Sequence, residues 1–78
     1  MNHQPIERMY YSYQEAADLL GVSYSQIRFW KWTFKKNLSG YKKFTENDIK
    51  VLKKIYQYWV VDEYQMKKVK RLLDEATY

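Results

Sequence analysis

Apolar side chains recur at helical spacing in four stretches of this chain, separated by capping and turn residues. Ala16, Ala17, Leu19 and Leu20 form a first apolar face, and Ile27, Trp30 and Phe34 a second. Ile49, Leu52, Ile55, Tyr56 and Trp59 form a third, and Met66, Val69, Leu72 and Leu73 a fourth. Steps of three and four residues place such positions on one side of an α-helix, so four amphipathic helices are predicted. Their starts are marked by Ser12-x-x-Glu15, Ser23-x-x-Gln26 and the weaker Thr45-x-x-Asp48, each placing a hydroxyl where it can cap a backbone amide. Gly21 ends the first helix. Val60 to Tyr64 interrupts the periodicity between the third and fourth helices.

The stretch from Lys35 to Phe44 lacks helical period. It holds a Ser39-Gly40 turn signal, with Leu38, Tyr41 and Phe44 as weakly alternating apolar members, which predicts a short hairpin with lysines on its open face. Met9-Tyr10-Tyr11 reads as a short strand or an extended entry. Residues 1–10, with Pro5 and no apolar period, read as a flexible tail, and residues 11–76 as one domain. The expected fold is mainly α, about four helices with a two-stranded wing between helices 2 and 3.

Composition adds a constraint on the core. A chain of 78 residues buries only about 60% of its unfolded surface, so each buried side chain must count. Fifteen aromatics supply large area per residue. Trp30, Phe34, Trp59, Tyr13 and Tyr56 are expected in the core, whereas Trp32 falls off the apolar stripe and is expected partly exposed, beside the wing.

Charge changes the picture more. The net charge of +5 is unevenly spread. Residues 28–54 carry nine lysines and arginines against two acids, a net +7, while residues 1–27 are net −2 and residues 55–78 are neutral. A clustered positive surface favours a polyanion through phosphate contacts and counterion release. Lys67 to Arg71 is balanced by nearby acids and reads as a solvated helix face.

The candidate chemistry is not enzymatic. The chain has no cysteine, one histidine (His3) in the polar N-terminal segment, and two glycines, both read as turn residues. No cofactor or metal is expected. The longest apolar runs, such as Trp59-Val60-Val61, are far shorter than a membrane span, and the N-terminus lacks a signal core, so a cytoplasmic protein is expected.

A short helix, a glycine turn and a second helix bearing hydroxyls, an amide and an arginine have the form of a helix-turn-helix whose second helix reads DNA. Tyr24, Arg28, Lys31 and Lys35 repeat at helical spacing opposite the buried stripe of that helix. Tyr24, Ser25 and Gln26 lie near its N-terminus, where base contacts are usually made, although the Gln26 amide is also available to the capping box. Arg28 is the expected DNA contact, to a phosphate before a base. Lys42 and Lys43 occupy consecutive extended positions, so only one can line a DNA-facing wing.

These elements, in this order, resemble the DNA-binding domain of MerR-type transcription factors, a winged helix-turn-helix. Tyr11-Ser12-Tyr13-Gln14-Glu15-Ala16-Ala17 resembles the family's opening of helix 1, and Leu20-Gly21-Val22-Ser23 its turn. Ile27-Arg28-Phe29-Trp30 resembles its Leu-Arg-Tyr-Tyr hallmark. Gly40-Tyr41-Lys42-Lys43-Phe44-Thr45 resembles its Gly-Tyr-Arg-x-Tyr-Ser wing, followed by Asp48-Ile49. The resemblance implies DNA contact by Arg28, Phe29 against the sugar-phosphate backbone, Tyr41 and Lys42 in the wing, and Tyr64 with Gln65 at a second wing.

The match runs from Tyr11 to about Leu73 and departs from the family in three ways. The segment between Phe34 and Gly40 is short and has no proline; Asp62 and Glu63 put negative charge at the second wing; and the family's long dimerising helix and effector domain lie outside the match. The implied protein is a bacterial, nucleoid-associated transcription regulator or its DNA-binding domain. Its expected partner is double-stranded DNA, with no membrane and no small-molecule effector site in this chain. A monomer is expected in solution, with a dimer or a protein partner on DNA left open. Two other readings stand beside it: a phage excisionase-like architectural DNA-binding protein, and a protein-interaction module using exposed aromatics such as Trp32 and Tyr58.

Overall fold

The computed structural model describes residues 10–39 and 42–75. The order is β1 (Tyr10–Tyr11), α1 (Tyr13–Leu20), α2 (Tyr24–Thr33), β2 (Phe44–Thr45), α3 (Glu46–Tyr56), a π-helical turn (Gln57–Val61) and α4 (Met66–Glu75). The fold is mainly helical with a small antiparallel sheet, the architecture of a winged helix-turn-helix.

Local chemistry sets the helix ends. Ser12 accepts from the Glu15 amide at 3.0 Å, and the Glu15 carboxylate accepts the Ser12 amide at 2.8 Å, a complete capping box at α1. Gly21 closes α1 in the left-handed region at φ 70°, and Val22 N–H returns to the Ala17 carbonyl at 3.0 Å. At α2 only the serine half of the box forms: Ser23 Oγ accepts from the Gln26 amide at 3.0 Å.

The strand pairing departs from the expected hairpin. β2 pairs antiparallel with β1, Tyr10 opposite Thr45 and Tyr11 opposite Phe44. Tyr10, read both as part of a short Met9-Tyr10-Tyr11 strand and as the end of the tail, lies in the sheet, and residues 1–9 lie outside the described residues. The segment preceding Gly40 is held down differently. Leu38 is buried in the core, and the Ser39 amide is tied to Asp48 rather than to a returning strand. Gly40 and Tyr41 lie outside the described residues.

Asp48 organises this corner. The cap expected to be weak is a complete box, with Asp48 N–H donating to Thr45 Oγ1 and the carboxylate accepting Thr45 N–H. The same carboxylate accepts Ser39 N–H at 2.8 Å and Ser39 Oγ at 3.3 Å. Asp48 is wholly buried, and its hydrogen bonds are what make that burial tolerable.

Ile27, Trp30 and Phe34 from α2, Ile49, Leu52 and Ile55 from α3, and Val69 and Leu73 from α4 form one core with Ala16, Ala17 and Phe44. Several expected core residues sit at its margin. Trp59, Tyr13 and Tyr56 are half-buried, Leu19 is 55% exposed, and Met66 is also exposed. Leu19 instead lines a surface depression with Tyr11, Glu15 and Asp18. The π turn, closed by Asp62 N–H to the Gln57 carbonyl at 2.8 Å, accounts for the interrupted periodicity. Through it Tyr58 and Trp59 pack against the core while Val60 and Val61 face solvent.

Candidate nucleic-acid interface

The buried side of α2 fixes what its other side presents. With Ile27, Trp30 and Phe34 turned inward, Tyr24, Ser25, Arg28 and Trp32 are exposed along the opposite stripe, and Lys35 follows in the turn after the helix. The helix ends at Thr33, with Phe34 N–H donating to the Trp30 carbonyl at 2.8 Å.

Tyr13 joins this stripe to the region before β2. It is the first residue of α1, and its ring stacks on Phe44 with centroids 4.8 Å apart and lies 6.1 Å from the Tyr24 ring. One surface depression is lined by Ser12, Tyr13, Gln14, Tyr24 and Lys42, and a second by Tyr13, Arg28, Lys31, Trp32 and Lys35. Tyr13 is common to both, so α2 and Lys42 border one continuous surface. Burial, and then the neighbouring Tyr24, push the Tyr13 phenol above its ordinary pKa, against a smaller lowering by Arg28.

The expected contact residues divide into three groups. Tyr24, Arg28 and Lys42 come together around Tyr13, with Ser25 exposed beside them. Gln26 is half-buried, and its side chain takes no part in the Ser23 cap. Lys31 is half-buried and has a structural role: Nζ donates to the Leu38 carbonyl at 3.3 Å and lies 5.8 Å from the Phe44 ring centroid. It thereby holds the α2–α3 connection onto α2. Tyr41 lies outside the described residues.

Phe29 and Tyr64 belong to another aromatic group. Phe29 is partly exposed and meets Trp59 edge-on at 5.7 Å. Tyr64 is half-buried, stacks on Tyr58 at 6.1 Å, and carries Lys68 Nζ 4.0 Å from its ring centroid. Glu63, just before it, has φ 58°, a conformation uncommon for a residue with a side chain. The two acids expected to weaken a second wing, Asp62 and Glu63, are both exposed.

The expected DNA contacts left out Tyr13, Gln14 and Trp32, although Trp32 was expected to be partly exposed beside the wing. Tyr13 was assigned to the core because it is aromatic and near an apolar face; its half-buried ring does pack inward, but its edge borders both depressions. The signal for Trp32 was already in the periodicity. It lies four residues after Arg28 and eight after Tyr24, on the exposed stripe.

Among the described residues no helix is long and apolar enough to cross a membrane. No curated protein and no solved structure matches the chain. The family model described as MerR HTH family regulatory protein matches residues 11–76, most of the chain. The helix-turn-helix, with Arg28 exposed on its second helix, and this match agree: the chain belongs to the MerR HTH family of DNA-binding regulatory proteins.

Proposed function

We propose that the protein binds duplex DNA with the exposed stripe of α2 in the major groove and with Lys42 on the flanking phosphate backbone. The observation that carries this reading is the continuity of surface from Arg28 and Tyr24 across Tyr13 to Lys42. A helix about 10–12 Å across with its side chains fits a major groove about 12 Å wide. In this arrangement Tyr24, Ser25 and Gln26, on the first turn, reach base edges. Gln26 can offer its amide to an adenine, since the helix cap does not use it. Arg28 supplies a charge-assisted contact one turn further on. Lys31 acts indirectly, by fixing the connection that leads to Lys42. Phe29 and Tyr64 extend the contact to the DNA backbone beyond α2, and the family resemblance implies a DNA contact for Tyr41 as well.

The test is selection of duplexes from a random pool, followed by affinity measurements on a selected and a scrambled duplex at several salt concentrations. Lys42→Ala is expected to weaken both duplexes alike and to lower the salt slope by about one unit, as for a lost phosphate contact. Arg28→Ala is expected to weaken binding more. If it also contacts a base, the loss includes about 1–3 kcal/mol of discrimination between the two duplexes. Both side chains are exposed, so both variants should fold. If both folded variants bind like the parent, α2 is not the DNA-facing helix.

A further inference from the structure

Trp32 is the most exposed large apolar side chain among the described residues, at 72%. It does not stand in an apolar patch. Arg28 lies one turn before it, Lys35 follows it, and Lys35 Nζ sits 4.5 Å from the centroid of its ring. With Tyr13 and Lys31 these residues line an open depression of about 340 Å³. An indole kept in water among cations gains nothing for the fold, because Trp30 and Phe34, on the same helix, already fill the core. The cations select a polyanion, and the indole offers that polyanion one apolar surface.

In the major groove of duplex DNA the distinctive apolar group on a base edge is the C5-methyl of thymine. We propose that Trp32 is a specificity-determining residue that reads thymine by packing its indole on that methyl group, while Arg28 and Lys35 hold phosphates on either side. The Lys35 ammonium fixes the ring by a cation–π contact, so less side-chain freedom is lost on binding. The inference rests on α2 being the groove-facing helix. It adds a base preference that neither a phosphate contact nor the Gln26 amide supplies.

Deoxyuridine lacks only the methyl group, so it tests this contact directly. After a duplex has been selected from a random pool, each thymine is replaced singly by deoxyuridine and affinity is measured for the parent, Trp32→Ala and Arg28→Ala. The parent should lose roughly fourfold at one or two thymines, the value of one buried methyl-sized group. Trp32→Ala should bind the thymine duplex more weakly and show no loss at those positions. Arg28→Ala should bind more weakly but keep the deoxyuridine loss. Trp32 is exposed, so the variant should keep the parent's circular dichroism spectrum. Equal binding of thymine and deoxyuridine duplexes by the parent overturns the inference while leaving α2 as the reading helix. A deoxyuridine loss that survives in Trp32→Ala overturns it too, as does a Trp32→Ala variant that binds as the parent does. Failure of the parent to retain any duplex overturns this inference and the DNA-facing assignment together.

Discussion

Replacing Asp48 by alanine tests the link between a buried polar network and the binding surface. The carboxylate accepts hydrogen bonds from Ser39 N–H, Ser39 Oγ–H and Thr45 N–H, at 2.8, 3.3 and 3.0 Å. A hydrogen bond to a charged group contributes about 1.5–3 kcal/mol, and a buried donor left unpaired costs about 1–3 kcal/mol. Ser39 is exposed, so water can replace part of its share. Thr45 is half-buried and is compensated less. The acid at the third position of α3 also interacts favourably with the helix N-terminus, by about 0.3–1 kcal/mol. These contributions overlap, so the expected loss is about 3–5 kcal/mol rather than their sum. At roughly 0.05–0.15 kcal/mol per residue, a domain of this size has only about 4–12 kcal/mol in total.

Equilibrium urea unfolding measures the loss as a fall in midpoint at unchanged slope. Asp48→Asn keeps an acceptor for Ser39 but turns an amide donor toward Thr45 N–H, so it should fall between parent and alanine. The two residues that Asp48 holds, Ser39 and Thr45, bracket the segment that contains Lys42. Asp48→Asn is therefore also expected to weaken duplex binding under conditions where it remains folded. An alanine variant within about 1 kcal/mol of the parent would show that the network is only a surface cap, of the size of an ordinary N-cap substitution.

Three further outcomes are expected. Trp30→Ala should destabilise by about 3–5 kcal/mol and Trp59→Ala by roughly half that, because Trp30 is fully buried and Trp59 only half; denaturant midpoints give the order, and equal losses would contradict it. Gly21→Ala should cost about 1–2 kcal/mol, since a side chain at φ 70° is strained although its Cβ would meet nothing within 4 Å; a neutral variant would mean that the α1–α2 turn rearranges. Tyr13 has its pKa raised in the fold, so its contribution to stability is intact below pH 10 and is lost as pH rises through the folded value. Tyr13→Phe should therefore lose less stability than the parent above pH 10, as read by unfolding curves at several alkaline pH values.

The helices were legible because their information is local. Period, capping residues and Gly21 lie within a few positions of the structure they specify, and Ser12, Ser23 and Thr45 each cap the helix expected of them. The pairing of β1 with β2 was not legible. Tyr10 and Thr45 are far apart in sequence, and a two-residue strand has no period of its own. The Ser39-Gly40 turn signal suggested a local hairpin, whereas the stronger constraint on Ser39 is the side chain of Asp48, nine residues later. Within the candidate site, Arg28 could be placed from the helix face alone. The structural role of Lys31 could not, because its partner is a main-chain carbonyl at Leu38 that carries no sequence signature.

The arrangement of acids explains why a modest net charge can leave a strongly basic face. Glu15 and Asp48 are engaged in helix caps, Asp18 accepts from Gln14, and Asp62 accepts from Gln57. Asp74 takes Asn37 and Lys36, and Glu75 takes Arg71, both at α4 and its contact with the segment after α2. None of these contacts involves Arg28 or Lys35 on the surface around Tyr13. Exposed ion pairs such as Arg71–Glu75 contribute little to stability. The acids' clearest energetic effect is at the two capping boxes, where each satisfies backbone donors that would otherwise be orphaned. The carboxylates at the two helix caps thus have a different role from Arg28 and Lys35, the exposed cations beside α2. That division of charge within one small domain is what makes the exposed face of α2, rather than α4 with its balanced lysines and acids, the surface on which DNA binding should be sought.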